Sequence, residues 1–218
     1  MFDVLSLYIA LTPLAVYLML LGIVNMSRRP FVVSGTRDLA VVLVALSGFV
    51  AVGPMQLFFP VGSEWALGVY VWFYMAILYG LFAFLFLLHQ RLRLNIYNMT
   101  MLDLRPILSD VAMELDETAR WAGDALALPK LGILLYLDAN EKMENVSLIS
   151  CGKKQAPESW AKLRDALTQK LSTVSIEGNR PVGTAFFVAG LLAFILLHGM
   201  VWFDSAEILH ALPEFLRI

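Results

Sequence analysis

Long apolar runs joined by short polar links fill the first 88 residues and return after residue 180. Between them the pattern breaks into short mixed segments. The longest run, Trp65 to Leu88, is twenty-four residues without a charge, thirteen of them Leu, Ile, Val or Phe. Each of those favours a bilayer centre by roughly 0.3–0.6 kcal/mol, and no charge costs it the opposing ~3 kcal/mol. At about 1.5 Å per residue the run reaches about 36 Å, enough for a hydrocarbon core of about 30 Å. Its first half is crowded with Trp65, Tyr70, Trp72, Phe73 and Tyr74, ring types that favour the membrane interface. Three more runs read the same way, so the pattern predicts transmembrane helices at about 4–24, 39–59, 65–88 and 181–203. Pro13 lies inside the first and frees one backbone carbonyl, for which Thr12 or a neighbouring helix is the expected partner. Gly53-Pro54 interrupts the second. Residues 25–38 read as a loop and Pro60 to Glu64 as a tight turn.

The segment 89–180 has the periods of a water-facing domain. Leu92, Leu94 and Ile96 alternate with polar neighbours, a strand pattern. Leu104, Ile107, Leu108, Val111 and Leu115 follow helical spacing, with Pro106 placing the helix start near Asp103 or Leu104. Gly123-Asp124 inside 120–128 marks a hairpin. Strands are expected at Ile133–Leu137 and Val146–Cys151. Pro157 opens a helix with the stripe Trp160, Leu163, Leu167 and Leu171, and Val174 and Ile176 suggest a closing strand. The order β-α-β-β-β-α-β puts two amphipathic helices on one face of a mainly antiparallel sheet, and the ferredoxin-like plan is the nearest simple architecture. The organisation expected is therefore a helical membrane bundle (1–88 and 181–203), an inserted α+β domain at 89–180, and a short amphipathic tail at 204–218.

Composition agrees: 59% of the 218 residues are hydrophobic and 16% charged. The single cysteine, Cys151, excludes an internal disulfide framework. The N-terminus lacks the basic region and small-residue site of a cleaved signal peptide and reads as a retained helix. Charge matters through its distribution. With 25–38 and 89–180 on the cytoplasmic side, fifteen of sixteen Lys and Arg lie inside. The positive-inside rule then places both termini outside an inner or plasma membrane.

Candidate chemistry is sparse. His89 and His198 fall about 25 Å apart along their helices, too far to share one haem. No His/Cys/carboxylate spacing suits zinc. Cys151-Gly152-Lys153-Lys154 lacks the flanking residues of a phosphate loop, and Asp138-Ala139-Asn140 departs from a calcium loop at Lys142 and Ile149. Gln56, Tyr70, Tyr74 and His198 form a candidate polar seam in the membrane. Ala185, Ala189, Gly190 and Ala193 form a smooth ridge, for packing within the chain or between copies. Lys153, Lys154 and Lys162 form a candidate basic patch for acidic headgroups or an acidic partner.

No cofactor, metal or nucleic-acid site follows from these residues, and nothing in them argues for an enzyme. The reading that fits is a non-catalytic accessory, anchoring or regulatory membrane subunit whose domain binds a protein partner, in contact with lipid and with a partner or further copies of itself. The alternatives are a small transporter or channel subunit acting as an oligomer, and a membrane enzyme for a lipid or quinone.

Overall fold

A computed structural model describes residues 4–55, 70–152, 155–174, 180–203, 208, 211–213 and 215. Four of its helices are long and apolar enough to cross a bilayer: α1 (Val4–Met26), α2 (Gly35–Val50, continued by a π-helical turn at Ala51–Met55), α3 (Tyr70–Leu88) and α6 (Arg180–Phe203). They mark an integral, multi-pass membrane protein. Gln56, the 60–64 turn, the first residues of the third run, Lys153, Lys154, His210 and most of the expected tail lie outside the described residues.

The described chain forms two compact units. One comprises Met1–Leu20, Ala40–His89 and Phe186–Ile218. Here α1 stays helical through Pro13, because the carbonyl it frees, that of Ile9, finds a neighbour on α2. Gly48 approaches so closely that an added Cβ would run into the Ile9 and Ala10 carbonyl oxygens. Its Cα–H groups are thus placed where Pro13 has no N–H to offer. Thr12 is not the donor: its buried hydroxyl has no hydrogen-bond partner. The π-helical turn around Pro54 is where the expected break in the second span appears, as a widened turn still helical through Met55. Tyr79 of α3 donates to the Leu43 carbonyl of α2 at 2.6 Å.

The other unit comprises Leu21–Leu39 and Gln90–Ala185. It holds β1 (Phe31–Ser34), β2 (Arg93–Tyr97), α4 (Met101–Leu115), β3 (Arg120–Ala122), β4 (Ala125–Leu128), β5 (Ile133–Asn140), β6 (Asn145–Ser150) and α5 (Pro157–Leu171). The strands form one antiparallel six-stranded sheet in the order β1-β2-β6-β5-β4-β3. Helices α4 and α5 bury Leu104, Leu108, Val111 and Ala112, and Trp160, Leu163, Leu167 and Leu171, on the sheet residues Leu94, Ile96, Leu126, Leu128, Leu135, Val146 and Leu148. The expected stripes therefore face the core.

Three expectations change. The stretch 25–38 is not a loop: Pro30 is followed by the strand Phe31–Ser34, paired with β2 from Phe31↔Tyr97 to Ser34↔Leu94, and α2 starts at Gly35. Val32-Val33 favour extended backbone, and the pairing satisfies an edge of β2 that would otherwise stay open. In the ferredoxin-like plan the last strand, after the second helix, takes that edge, and two strands rather than four separate the helices. Val174 is not in a strand, and 175–179 lie outside the described residues. Helix α4 begins at Met101, earlier than Pro106 suggested. The Thr100 hydroxyl caps it by accepting from the Asp103 N–H, and the carbonyl that Pro106 frees belongs to Leu102, at the exposed end. The 120–128 hairpin forms as expected, with Gly123 at φ +63° in its two-residue turn.

Asp116 closes α4. Its buried carboxylate accepts from the Thr118 N–H and hydroxyl and from the Lys130 N–H. Burial pulls its pKa up, but the hydrogen bonds from Thr118 and Lys130 and the Lys130 charge outweigh this, and the net shift is downward.

Two outcomes follow. Gly48→Ala should lower the thermal midpoint of the detergent-solubilised chain by several degrees, whereas Gly80→Ala on α3, where a Cβ meets nothing, should leave it unchanged or raise it slightly. Because the folded pKa of Asp116 is depressed, its contribution is complete above the unfolded value of about 3.9 and is lost as pH falls through the folded value. Asp116→Asn should lower stability at neutral pH and flatten its fall in acid. Parallel pH curves for the two proteins would contradict this.

Candidate functional site

The face of the sheet turned away from α4 and α5 carries a hydrogen-bonded polar array. Strand alternation places Leu94 and Ile96 in the core, so Arg93, Asn95 and Tyr97 point the other way. The β2–β6 register sets Asn95 opposite Ser147, and the β5–β6 register sets Ser147 opposite Asp138. Asp38, in the first turn of α2, stands over this face. Its carboxylate accepts from Asn95 Nδ2 at 2.6 Å and from the Tyr97 hydroxyl at 2.8 Å. Asn95 Oδ1 accepts from Arg93 Nε at 2.7 Å and from Ser147 Oγ at 3.0 Å, and Arg93 Nη2 donates to Ser147 Oγ at 2.7 Å. Beside the array a groove of about 610 Å³ is lined by Arg93, Asp138, Asn140, Lys142, Asn145 and Ser147, among others. Further along the face the character turns apolar: Ala125, Tyr136 and Ile149 share one cross-strand row, with Leu134 next to it.

A second polar knot lies at the far end of β2. Asn98, fully buried at φ +58°, donates from Nδ2 to the Val24 carbonyl in the last turn of α1 at 2.6 Å. Buried Asn25 donates from its own Nδ2 to the Leu21 carbonyl, and the Oδ1 atoms of both asparagines have no hydrogen-bond partner. One strand and the residue after it thus hold the start of α2 and the end of α1.

The Ser147 hydroxyl donates to an amide oxygen and accepts from a guanidinium, so no base is set to take its proton. Among the described residues no three His, Cys, Asp or Glu side chains gather as for a metal ion. Cys151 is a half-buried free thiol whose N–H pairs with the Leu134 carbonyl.

The residues singled out from sequence fall in several places. Gly190 is buried against Ala15 and Met19 of α1, whereas Ala185 and Ala189 are exposed and Ala193 half-buried. On α6 the buried positions are Gly183, Gly190 and Leu197, a spacing of seven that the alanine ridge hid. His198 makes a 3.3 Å hydrogen bond with the Tyr8 hydroxyl across α1 and α6, and its Nδ1 lies 2.9 Å from the Phe194 carbonyl. Tyr70 and Tyr74 are 67% and 58% exposed. Lys162 is exposed on α5. Asp38, Asn95, Tyr97 and Asn98 carried no signal in the sequence beyond being polar in or beside an apolar stretch.

No protein-family model, characterised protein or solved structure matches the chain. Asp38→Ala should therefore be judged by physical measurement. It leaves Asn95 Nδ2 and the Tyr97 hydroxyl without an acceptor and should cost about 1–3 kcal/mol of stability, with faster amide exchange in β1 and β2. Asp38→Asn, which keeps one acceptor oxygen, should cost less. Wild-type exchange in the alanine variant would show that the carboxylate does not hold the strands.

Proposed function

We propose that the protein is a non-catalytic, accessory or regulatory membrane subunit whose α+β domain binds a protein partner. The observation that carries this reading is the grip of β2 on two helices: Asn95 and Tyr97 on Asp38 at the start of α2, and Asn98 on Val24 at the end of α1. A partner that shifts the sheet would shift both helix ends through part-buried, directional bonds. The domain belongs on the cytoplasmic side, together with 25–38, because fifteen of sixteen basic residues then lie inside and both termini outside. Its β-α-β-β-β-β-α order, completed by β1, is best described as an elaborated ferredoxin-like plan.

A partner surface is available on α4. Leu102 and Met113, eleven residues apart and so on one side of the helix, are 86% and 52% exposed, with exposed Pro106 between them. Apolar side chains in a row on a water-facing helix suit a helix or groove of another protein.

A transporter or channel subunit is the second reading, favoured by the Tyr8–His198 pair, an ionisable group hydrogen-bonded between two membrane helices. Purified protein in liposomes that gives no flux of ions or small solutes would remove it. The membrane-enzyme reading has no further support.

Gentle purification from native membranes should bring down a stoichiometric protein partner, and the double variant Leu102→Asp/Met113→Asp should lose it while melting like the wild type. A particle containing this chain alone, in several mild detergents, would overturn the proposal.

A further inference from the structure

We infer that the partner surface on α4 takes a basic amphipathic helix of another protein. That helix seats an apolar side chain in a pocket at the start of α4 and sets lysines or arginines against Asp110, Glu141 and Glu144. The inference rests on the protein-partner reading and names the chemistry of that partner.

Two observations point there. The first is a pocket. A cavity of about 250 Å³ opens between the first turn of α4 and the turn that joins β5 to β6. Its lining includes apolar Met99, Met101, Leu102 and Ala139 and acidic Glu141 and Glu144. The Met99 N–H donates to the Glu144 carbonyl at 2.6 Å, which ties the turn to the residues leading into α4. Leu102 stands exposed at this pocket, and exposed Pro106 and Met113 carry the apolar line about three turns along the helix.

The second is charge. Asp110 lies four residues from Pro106 and three from Met113, so it borders that line. Asp110 and Glu141 are exposed and Glu144 is half-buried. Among the described residues, none of the three has a cation within ion-pair distance, whereas Glu114, Glu117, Asp124 and Asp165 of the same domain do. Lys142, the basic residue of the β5–β6 turn, lines the groove beside Arg93 rather than this pocket. Asp103 does not belong to the set, because with Thr100 it serves the start of α4.

Together these select an occupant. Unpaired carboxylates oppose an anionic lipid surface and an acidic protein alike. An apolar line about three turns long, bordered by negative charge, is complemented by a helix with Leu or Phe on one face and Lys or Arg beside it. The pocket at one end of the line gives that helix an anchor and fixes its register.

The test uses the full chain in nanodiscs of phosphatidylcholine and two fluorescent helical peptides of about eighteen residues. Both carry a leucine face; the polar face is lysine in one and glutamate in the other. Anisotropy, with the signal of empty nanodiscs subtracted, should show salt-sensitive binding of the lysine peptide and none of the glutamate peptide. Asp110→Lys/Glu141→Lys should weaken binding of the lysine peptide about tenfold or more and create binding of the glutamate peptide. Asp110→Asn/Glu141→Gln, with a smaller fall, serves if the double reversal does not fold. Glu158→Lys/Asp165→Lys, the same change of charge on α5, should keep wild-type affinity. Equal binding of the two peptides, or undiminished affinity in the Asp110/Glu141 variants, overturns the inference. A native partner that stays bound to Asp110→Lys/Glu141→Lys overturns it and leaves the protein-partner reading standing. A chain that purifies alone from native membranes overturns that reading and this inference with it.

Discussion

A β-strand cannot leave its backbone groups unpaired without consequence, and in this protein that requirement falls on the outer edge of β2. It is met by Phe31–Ser34, which comes from between the first two membrane helices. The rest of the domain depends on this pairing. It brings Gly35 so close to Arg93 that an added Cβ would meet the arginine side chain. It also sets Asp38 over Asn95 and Tyr97 and leads the chain back toward Asn98. Without β1, Val32 would leave the core on which it packs, and β2 would end in solvent.

Much of this architecture was legible because apolar periodicity is a strong signal when it is long. The four membrane runs and the stripes of α4 and α5 could be read directly, and so could the strands over Leu92–Tyr97, Ile133–Leu137 and Val146–Cys151. β1 was hidden for a physical reason. A four-residue strand shows barely two alternations, and its partner lies some sixty residues on. Loop-like neighbours, Arg28, Arg29 and Pro30 on one side and Gly35 on the other, disguised it further. The polar array was hidden in the same way, since it depends on register: Asn95, Ser147 and Asp138 become neighbours only when three strands align. On α6 the contact with α1 includes Gly190 of the alanine ridge, while Ala185 and Ala189 stay exposed.

The two prolines in membrane helices show two answers to one problem. At Pro13 the helix keeps its course, and a glycine of the neighbouring helix comes up to the freed carbonyl. At Pro54 the helix itself gives way and widens into a π-helical turn. The first solution ties two helices together through a contact that tolerates no side chain. The second needs no neighbour.

The provenance of β1 has a consequence for biosynthesis. Phe31–Ser34 leaves the ribosome about sixty residues ahead of the strand it pairs with, and two membrane helices are made in the interval. At about 5–20 residues per second the wait lasts several seconds. During that time the sheet has one strand, no core and an exposed edge. The complete sheet therefore needs a strand from outside its contiguous sequence, one made before the second and third membrane helices. A fragment beginning at residue 89 would lack β1 and begin life with the edge of β2 open to any other strand that reaches it.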